Sequence, residues 1–304
     1  MWQSGCEGPH GASALGGVMN KVNTIGIYND FFGLHERPFS LVPDPDFLFW
    51  SDGHRRAYTM LEYGLMTSAP ITLITGEVGA GKTTLLHHLL KNMDDDVSIG
   101  LIANATGDRN ELLRWVLLSL SQEARPEETY VDLFNRLQSY LIEEYAAGRH
   151  VVLIFDEAQN LSRAALEELR MFTNINSNKD ELLQLVLVGQ PELRDLVRQP
   201  DLTQFAQRVA ASFHLKSMDA DTVRAYIAHR MKKAGAQDKI FSNRACALIY
   251  EATGGVPRLV NQLCDLALVY AYSDGQPAVV REAVQSVLDD GVFFGQRQTA
   301  QQES

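Results

Sequence analysis

Cysteine is scarce, at three in 304 residues. Cys6, Cys246 and Cys264 are odd in number and are not spaced as metal ligands. Cys246 and Cys264 sit among apolar residues and read as small buried hydrophobes, the pattern of a reducing compartment. Cys6 and His10 make two candidate ligands in a glycine-rich segment, too few for a site. No run approaches the ~18–20 apolar residues that span a bilayer. The first residues also lack a basic stretch followed by an apolar one. A cytoplasmic setting with no direct membrane span is therefore expected. Basic charge is short as well: 27 Lys and Arg against 38 Asp and Glu leave a net charge of -11. That argues against a face built wholly to hold phosphate backbones, and leaves room for a local basic patch. His54, His87 and His88 have no Ser or Cys constellation around them, so neither a triad nor a zinc site is read.

What is present suits a globular chain. Hydrophobic residues make up 45% and charged residues 21%, enough for one large domain with a small satellite. Residues 1–27, rich in Gly, Ser, Ala and Asn, read as a disordered extension in which Met19 is an alternative start. From Tyr28 to Trp50 the chain is aromatic and carries Pro43-Asp44-Pro45-Asp46, which excludes a long helix and predicts an extended wrap. A helix is expected over Arg55–Met66, with Ala57, Leu61 and Leu65 on one face. Strands are then expected at Ile71–Thr75, Ser98–Ala103, Val151–Phe155 and Leu185–Gly189, with a last short one near Ser212–Leu215. Helices are expected at Gly81–Asn92, Glu111–Glu123, Tyr130–Ala146 and Ala164–Thr173. Continuously apolar strands alternating with helices predict a parallel sheet covered on both faces. From about Lys216 the strands stop. Val223, Tyr226, Ile227 and Met231 form one helical face, and Ala245–Glu251, Pro257–Tyr272 and Val279–Leu288 follow as helices. The expected organisation is an α/β core over 28–215, a helical lid over 216–290 and a loose tail over 291–304.

Chemistry concentrates in two places. Gly76-Glu77-Val78-Gly79-Ala80-Gly81-Lys82-Thr83 matches the phosphate-loop pattern in full, directly after a strand and opening a helix. The glycines let backbone N–H groups turn inward around phosphates, and the helix N-terminus adds its positive end. Lys82 would pair with the β- and γ-phosphates of ATP, and Thr83 would ligate Mg²⁺. The second place is Val151-Val152-Leu153-Ile154-Phe155-Asp156-Glu157, a buried strand ending in adjacent carboxylates. There Asp156 would hold Mg²⁺ through water, and Glu157 would polarise an attacking water. A phosphotransferase needs only the aspartate; the added glutamate points to hydrolysis. Arg258 follows Gly254-Gly255-Val256-Pro257 at a helix start, where a cation opposes the helix dipole and so suggests a functional demand.

Together these motifs resemble the AAA+ ATPases. More narrowly the chain is similar to the general secretion pathway protein A family and its relatives near exosortase and exopolysaccharide loci. The likeness rests on Phe31-Phe32-Gly33-Leu34, Pro38-Phe39-Ser40, Pro43-Asp44-Pro45, Gly76–Thr84, Phe155–Leu161, Val188-Gly189-Gln190-Pro191-Glu192-Leu193 and Gly254–Leu263. It covers residues 28 to 290. It implies a P-loop NTPase αβα core with a parallel sheet, followed by a small all-helical lid, and extends the nucleotide-binding loop to Thr84. It also implies a γ-phosphate sensor at Gln190, a second sensor at Arg258, a restraint on the catalytic glutamate at Asn104 and an arginine finger at Arg208. Where relatives often carry a further arginine, this chain has Ala211 and Ser212. Plainer readings stay open: a turn residue at Gln190 and at Asn104, a solvated arginine at Arg258, a surface ion pair at Arg208. Tyr28–Phe39 reads either as an adenine-supporting slot or as core packing of Phe31, Phe32 and Phe39. Arg230, Lys232 and Lys233 read as a solvated helix C-terminus complementing the dipole.

The resemblance implies an ATPase that assembles into a homo-oligomer on binding ATP and acts on a protein partner in secretion, exopolysaccharide or envelope assembly. Two alternatives stand beside it: a DNA-engaged regulator of transposition, which the acidic balance disfavours, and a slow nucleotide-dependent scaffold. Secretion relatives often carry a membrane span and periplasmic region after the ATPase; none is read in this sequence, so a closer resemblance to the stand-alone cytoplasmic relatives is expected.

Overall fold

The computed structural model describes residues 27–42, 44–94, 96–103, 109–177 and 180–295. Asn104, Pro43, most of the N-terminal extension and most of the tail lie outside the described residues. Strands β1 (Ile71–Gly76), β2 (Val97–Ala103), β3 (His150–Asp156), β4 (Leu183–Gly189) and β5 (Val209–Leu215) form one sheet in the order β2-β3-β4-β1-β5. Every pairing in it is parallel. Helices α1 (Asp52–Met66), α2 (Lys82–Lys91), α3 (Arg109–Ser119), α4 (Tyr130–Ala146), α5 (Arg163–Phe172) and α6 (Pro191–Val197) alternate with the strands.

The unbroken apolar strands follow from burial on both faces. Leu73, Leu153, Phe155, Leu185 and Leu187 point into one core, which Leu113 and Leu117 of α3, Leu133, Leu137 and Leu141 of α4 and Phe172 of α5 complete. Ile74, Val152, Ile154, Val186 and Val188 point the other way, onto Ala57 and Leu61 of α1 and Leu85, Leu86 and Leu89 of α2. Alternation along the strand thus still holds, with an apolar partner on each side. The spacing of four between the α4 leucines keeps them on one stripe. That helix starts at a reciprocal cap, in which Thr129 and Asp132 satisfy each other's backbone N–H groups.

Two departures from the expected elements have local causes. Strand β4 begins at Leu183 because Gln184, polar in an apolar run, is buried with its amide donating to the carbonyls of Gly64 and Leu65, both at 3.2 Å. Helix α6 goes beyond the elements the pattern predicts, because Pro191 opens a short and polar stretch; proline at the first helical position is compatible with a helix start.

After β5 come α7 (Ala220–Lys233), α8 (Asn243–Thr253), α9 (Pro257–Ser273) and α10 (Arg281–Asp289). They enclose a core of their own, and Tyr28, Phe32, Leu34, Phe39 and Phe47 belong to it. The segment before α1 is therefore a strap fastened to the helical domain. Asp265 of α9 takes hydrogen bonds from Tyr28 (2.5 Å) and from Nε of Arg37 (2.9 Å). Asn261 donates to the Ser40 carbonyl at 3.2 Å. The slot reading of Tyr28–Phe39 is corrected accordingly: Phe32 and Phe39 are buried core, while Phe31 is half exposed against Tyr272. The reading of Arg230 as a solvated cation is corrected too. Its side chain is buried, Nε donates to the Pro38 carbonyl at 2.6 Å, and its guanidinium lies 4.6 Å from the centre of the Phe47 ring.

Candidate functional site

Three strand ends converge at one edge of the sheet: Gly76 of β1, Asp156 of β3 and Gly189 of β4, which lies between the other two. This is the carboxyl edge of a parallel sheet, where open α/β folds bind ligands. The loop after β1 turns through Gly79 at φ 77° and Gly81 at φ 94°, a region that favours glycine. Gly79 is also tightly approached. A Cβ there would lie 2.5 Å from Cβ of Arg258, and the Gly79 carbonyl accepts the Arg258 backbone N–H at 3.2 Å. The first turn of α9 thus rests on the phosphate loop.

Lys82 is buried, and its Nζ donates to the carbonyls of Gly76 (2.7 Å) and Glu77 (2.9 Å). Burial pulls its ammonium below the ordinary lysine range, against the opposing pull of the Glu157, Asp156, Glu77 and Glu192 carboxylates. Thr83 donates its hydroxyl to Asp156 Oδ2 at 2.9 Å. A hydroxyl and a carboxylate side by side suit Mg²⁺, which takes one or two protein oxygens and completes its shell with water and phosphate. Asp156 Oδ1 in turn accepts the backbone N–H of Glu157 at 2.9 Å.

Glu157 sits in left-handed backbone at φ 55°. Its Oε2 accepts the side-chain amides of Gln159 (2.6 Å) and Gln190 (3.1 Å). Burial alone would raise its carboxyl, but those two donors and the Lys82 charge outweigh it and hold the group below the usual glutamate range.

A cleft opens over these residues. Gly79, Gly81, Lys82, Thr83, Thr84 and Glu157 line its floor, and Val78, Pro257 and Arg258 its edge. Its far wall is built by Leu41, Val42, Phe47 and Phe49 of the strap with Tyr226 and Arg230 of α7. The aromatic wall therefore comes from the later part of the strap. Of the residues singled out in the sequence, the structure brings together the loop Gly76–Thr84, Asp156, Glu157, Gln190 and Arg258. Arg208 lies elsewhere. It precedes β5, whose Val209 pairs with Ile71 at the start of β1 and whose Leu215 pairs with Gly76 at its end. Its guanidinium donates to the carbonyl and hydroxyl of Thr173, both at 3.3 Å, and to Asn174.

Three residues to which pattern reading gave no role at the site belong to it. Gln159 and Arg230 are two. The third is His54, buried at the start of α1, with Nδ1 2.7 Å from Ser51 Oγ and Nε2 3.1 Å from the Ala80 carbonyl. These contacts fit a neutral ring that accepts from the serine and donates to the phosphate loop. Burial lowers its pKa, against the bond to Ala80. Gln159 was within reach of sequence reasoning, two positions past the carboxylates. His54 and Arg230 were not, because the contacts that bring them to the cleft, Ala80 for His54 and Pro38 and Phe47 for Arg230, are distant in sequence.

Among the described residues no cluster of three His, Cys, Asp or Glu side chains makes a metal site. None of their helices is long and apolar enough to cross a membrane.

Residues 65–197 match a family model described as an AAA domain. The chain is 38% identical over 254 residues to general secretion pathway protein A of Aeromonas hydrophila, a match covering 84% of this chain and 46% of that protein. The chain thus spans about half the length of that relative. Among solved structures it is similar to the ORC2 protein of Aeropyrum pernix, with TM-score 0.59 and 18% identity over 79% of this chain and 67% of that one. It is also similar to Drosophila ORC bound to DNA, with TM-score 0.66 and 14% identity over 96% of this chain and 70% of that one. At those identities the structural likeness speaks to fold.

Proposed function

We propose, from the premise that this chain is an AAA+ P-loop protein related to general secretion pathway protein A, that it binds ATP with Mg²⁺ and hydrolyses it. The observation that carries the reading is the meeting of Lys82, the Thr83–Asp156 pair and Glu157 on the floor of one cleft.

In this reading the backbone N–H groups of Gly79–Thr84 hold the phosphates at the N-terminus of α2. Lys82 exchanges its bonds to the Gly76 and Glu77 carbonyls for the β- and γ-phosphates. Thr83 and Asp156 would hold Mg²⁺, which would neutralise phosphate charge. Glu157 orients and polarises the attacking water, and its depressed pKa keeps it ionised through neutral pH. Gln190 and Arg258 approach from β4 and α9 to sense the γ-phosphate and to tie the lid to nucleotide state.

If Arg208 is an arginine finger, it serves a neighbouring subunit's nucleotide, a reading supported by its absence from the lining of its own cleft. The biological setting we infer is a cytoplasmic motor or switch that drives a protein partner in secretion or envelope polysaccharide assembly, on the strength of the general secretion pathway likeness.

The test is ATP titration calorimetry on Lys82→Ala. Loss of binding by a folded variant is the expected result. Unchanged affinity would remove the assignment of this cleft to ATP.

A further inference from the structure

The Glu157 carboxylate sits in a closed ring of hydrogen bonds that neither the phosphate loop nor the metal pair explains. The Gln159 amide nitrogen donates to Glu157 Oε2 at 2.6 Å, while its carbonyl oxygen accepts the backbone N–H of Gln190 at 3.0 Å. The Gln190 side chain closes the ring on the same Oε2 at 3.1 Å. A primary amide can donate at one atom and accept at the other; a carboxylate of equal length only accepts, and an alkyl chain does neither.

The surroundings are shaped for this amide. A Cβ at Gly189 would lie 3.0 Å from Gln159 Oε1 and 2.7 Å from a Leu193 methyl, so a larger residue at the end of β4 would displace the bridge. Glu157 itself holds φ 55°, a conformation that a non-glycine residue keeps where its neighbours enforce it.

We propose that Gln159 is the positioning residue for hydrolysis: it fixes the Glu157 carboxylate in the cleft and ties it to the Gln190 turn, so that the base and the γ-phosphate sensor move together. This rests on the reading of Glu157 as the group that activates water. Both amides fall on Oε2, which makes Oε1 the oxygen that takes the water. Gln159 then touches neither nucleotide nor water, and its effect passes through Glu157.

The experiment compares steady-state ATP turnover of the full chain as wild type, Gln159→Leu, Glu157→Gln and the double variant. Gln159→Leu should lower kcat by about 10- to 100-fold, the range for a misplaced catalytic group, with KM for ATP nearly unchanged. Added to Glu157→Gln, the same change should lower the rate little further. Gln159→Met, unbranched and without an amide, carries the test if the leucine variant does not fold.

An unchanged kcat, or a loss that appears in KM and not in kcat, would overturn the proposal. So would a rise in kcat, which would make Gln159 a brake, or an equal loss in the Glu157→Gln background. If Glu157→Gln alone turns over at the wild-type rate, the reading of Glu157 falls and this proposal falls with it. A failure confined to Gln159 leaves that reading intact.

Discussion

Lys82 directs its ammonium at two carbonyls of the loop that carries it, while the Glu157, Asp156, Glu77 and Glu192 carboxylates pull on its buried charge. A buried cation whose direct hydrogen bonds go to dipoles is stabilised further by an arriving phosphate, and burial already depresses its pKa. His54 works beneath it. The neutral ring braces the Ala80 carbonyl, and burial keeps it neutral below the pH at which an ordinary histidine, with a pKa near ~6.5, would charge. The unfolded chain then takes up the proton first, so stability from this group is complete above that ordinary value and declines as pH falls below it. Wild-type ATP affinity should hold where the folded ring is still neutral and weaken only at the lower pH where the folded ring itself charges. His54→Phe should bind ATP more weakly at neutral pH and show less of that decline, in calorimetric titrations between pH 7.5 and 5.5. An undiminished decline in the variant would place the titrating group elsewhere; His214 and His229 are also lowered by burial.

Strands and long helices were legible because their signals are local. Val151–Phe155 and Ile71–Thr75 are unbroken apolar runs, and Tyr130–Ala146 repeats its leucines every fourth residue, so period and burial agree. The phosphate loop and the Asp156–Glu157 pair were legible for the same reason: spacing along the chain sets their geometry. Contacts across the fold were not. Arg230 stands beside Lys232 and Lys233 in sequence and reads as one of a basic trio, yet its partners Pro38, Phe47 and Tyr226 come from the strap and from its own helix. Through it the strap and α7 form one wall of the cleft. Arg230→Ala would leave the Pro38 carbonyl and the Tyr226 hydroxyl without this donor. An unpaired buried polar group costs about 1–3 kcal/mol. The melting temperature should fall, and ATP affinity should fall with it because the wall loosens. Arg230→Lys should recover only part of the loss, since an ammonium lacks the planar fork that stacks on Phe47 while bonding. Full recovery by lysine would mean that charge alone matters.

At the scale of the whole molecule, the sheet with a core on each face and the strapped helical domain with its own core meet across the cleft: the sheet side supplies the floor and the helical domain the far wall. Arg208, at the opposite end of the sheet from the phosphate loop, gains a role in hydrolysis only through a second subunit. Mixing Arg208→Ala with Lys82→Ala should then restore part of the turnover that each lacks alone, because mixed interfaces pair an intact loop with an intact arginine. Two inactive proteins that stay inactive when mixed, and stay monomeric with ATP, would count against assembly. The central claim, however, is that Glu157 makes this cleft a hydrolase and not merely a nucleotide holder. The most direct measurement is ATP affinity and phosphate release on the same preparation of Glu157→Gln. Affinity should persist, because Lys82, Thr83 and Asp156 are untouched, while phosphate release should fall by roughly 10²–10⁴-fold, the range for loss of a general base. Phosphate release at the wild-type rate from the bound variant would contradict the account.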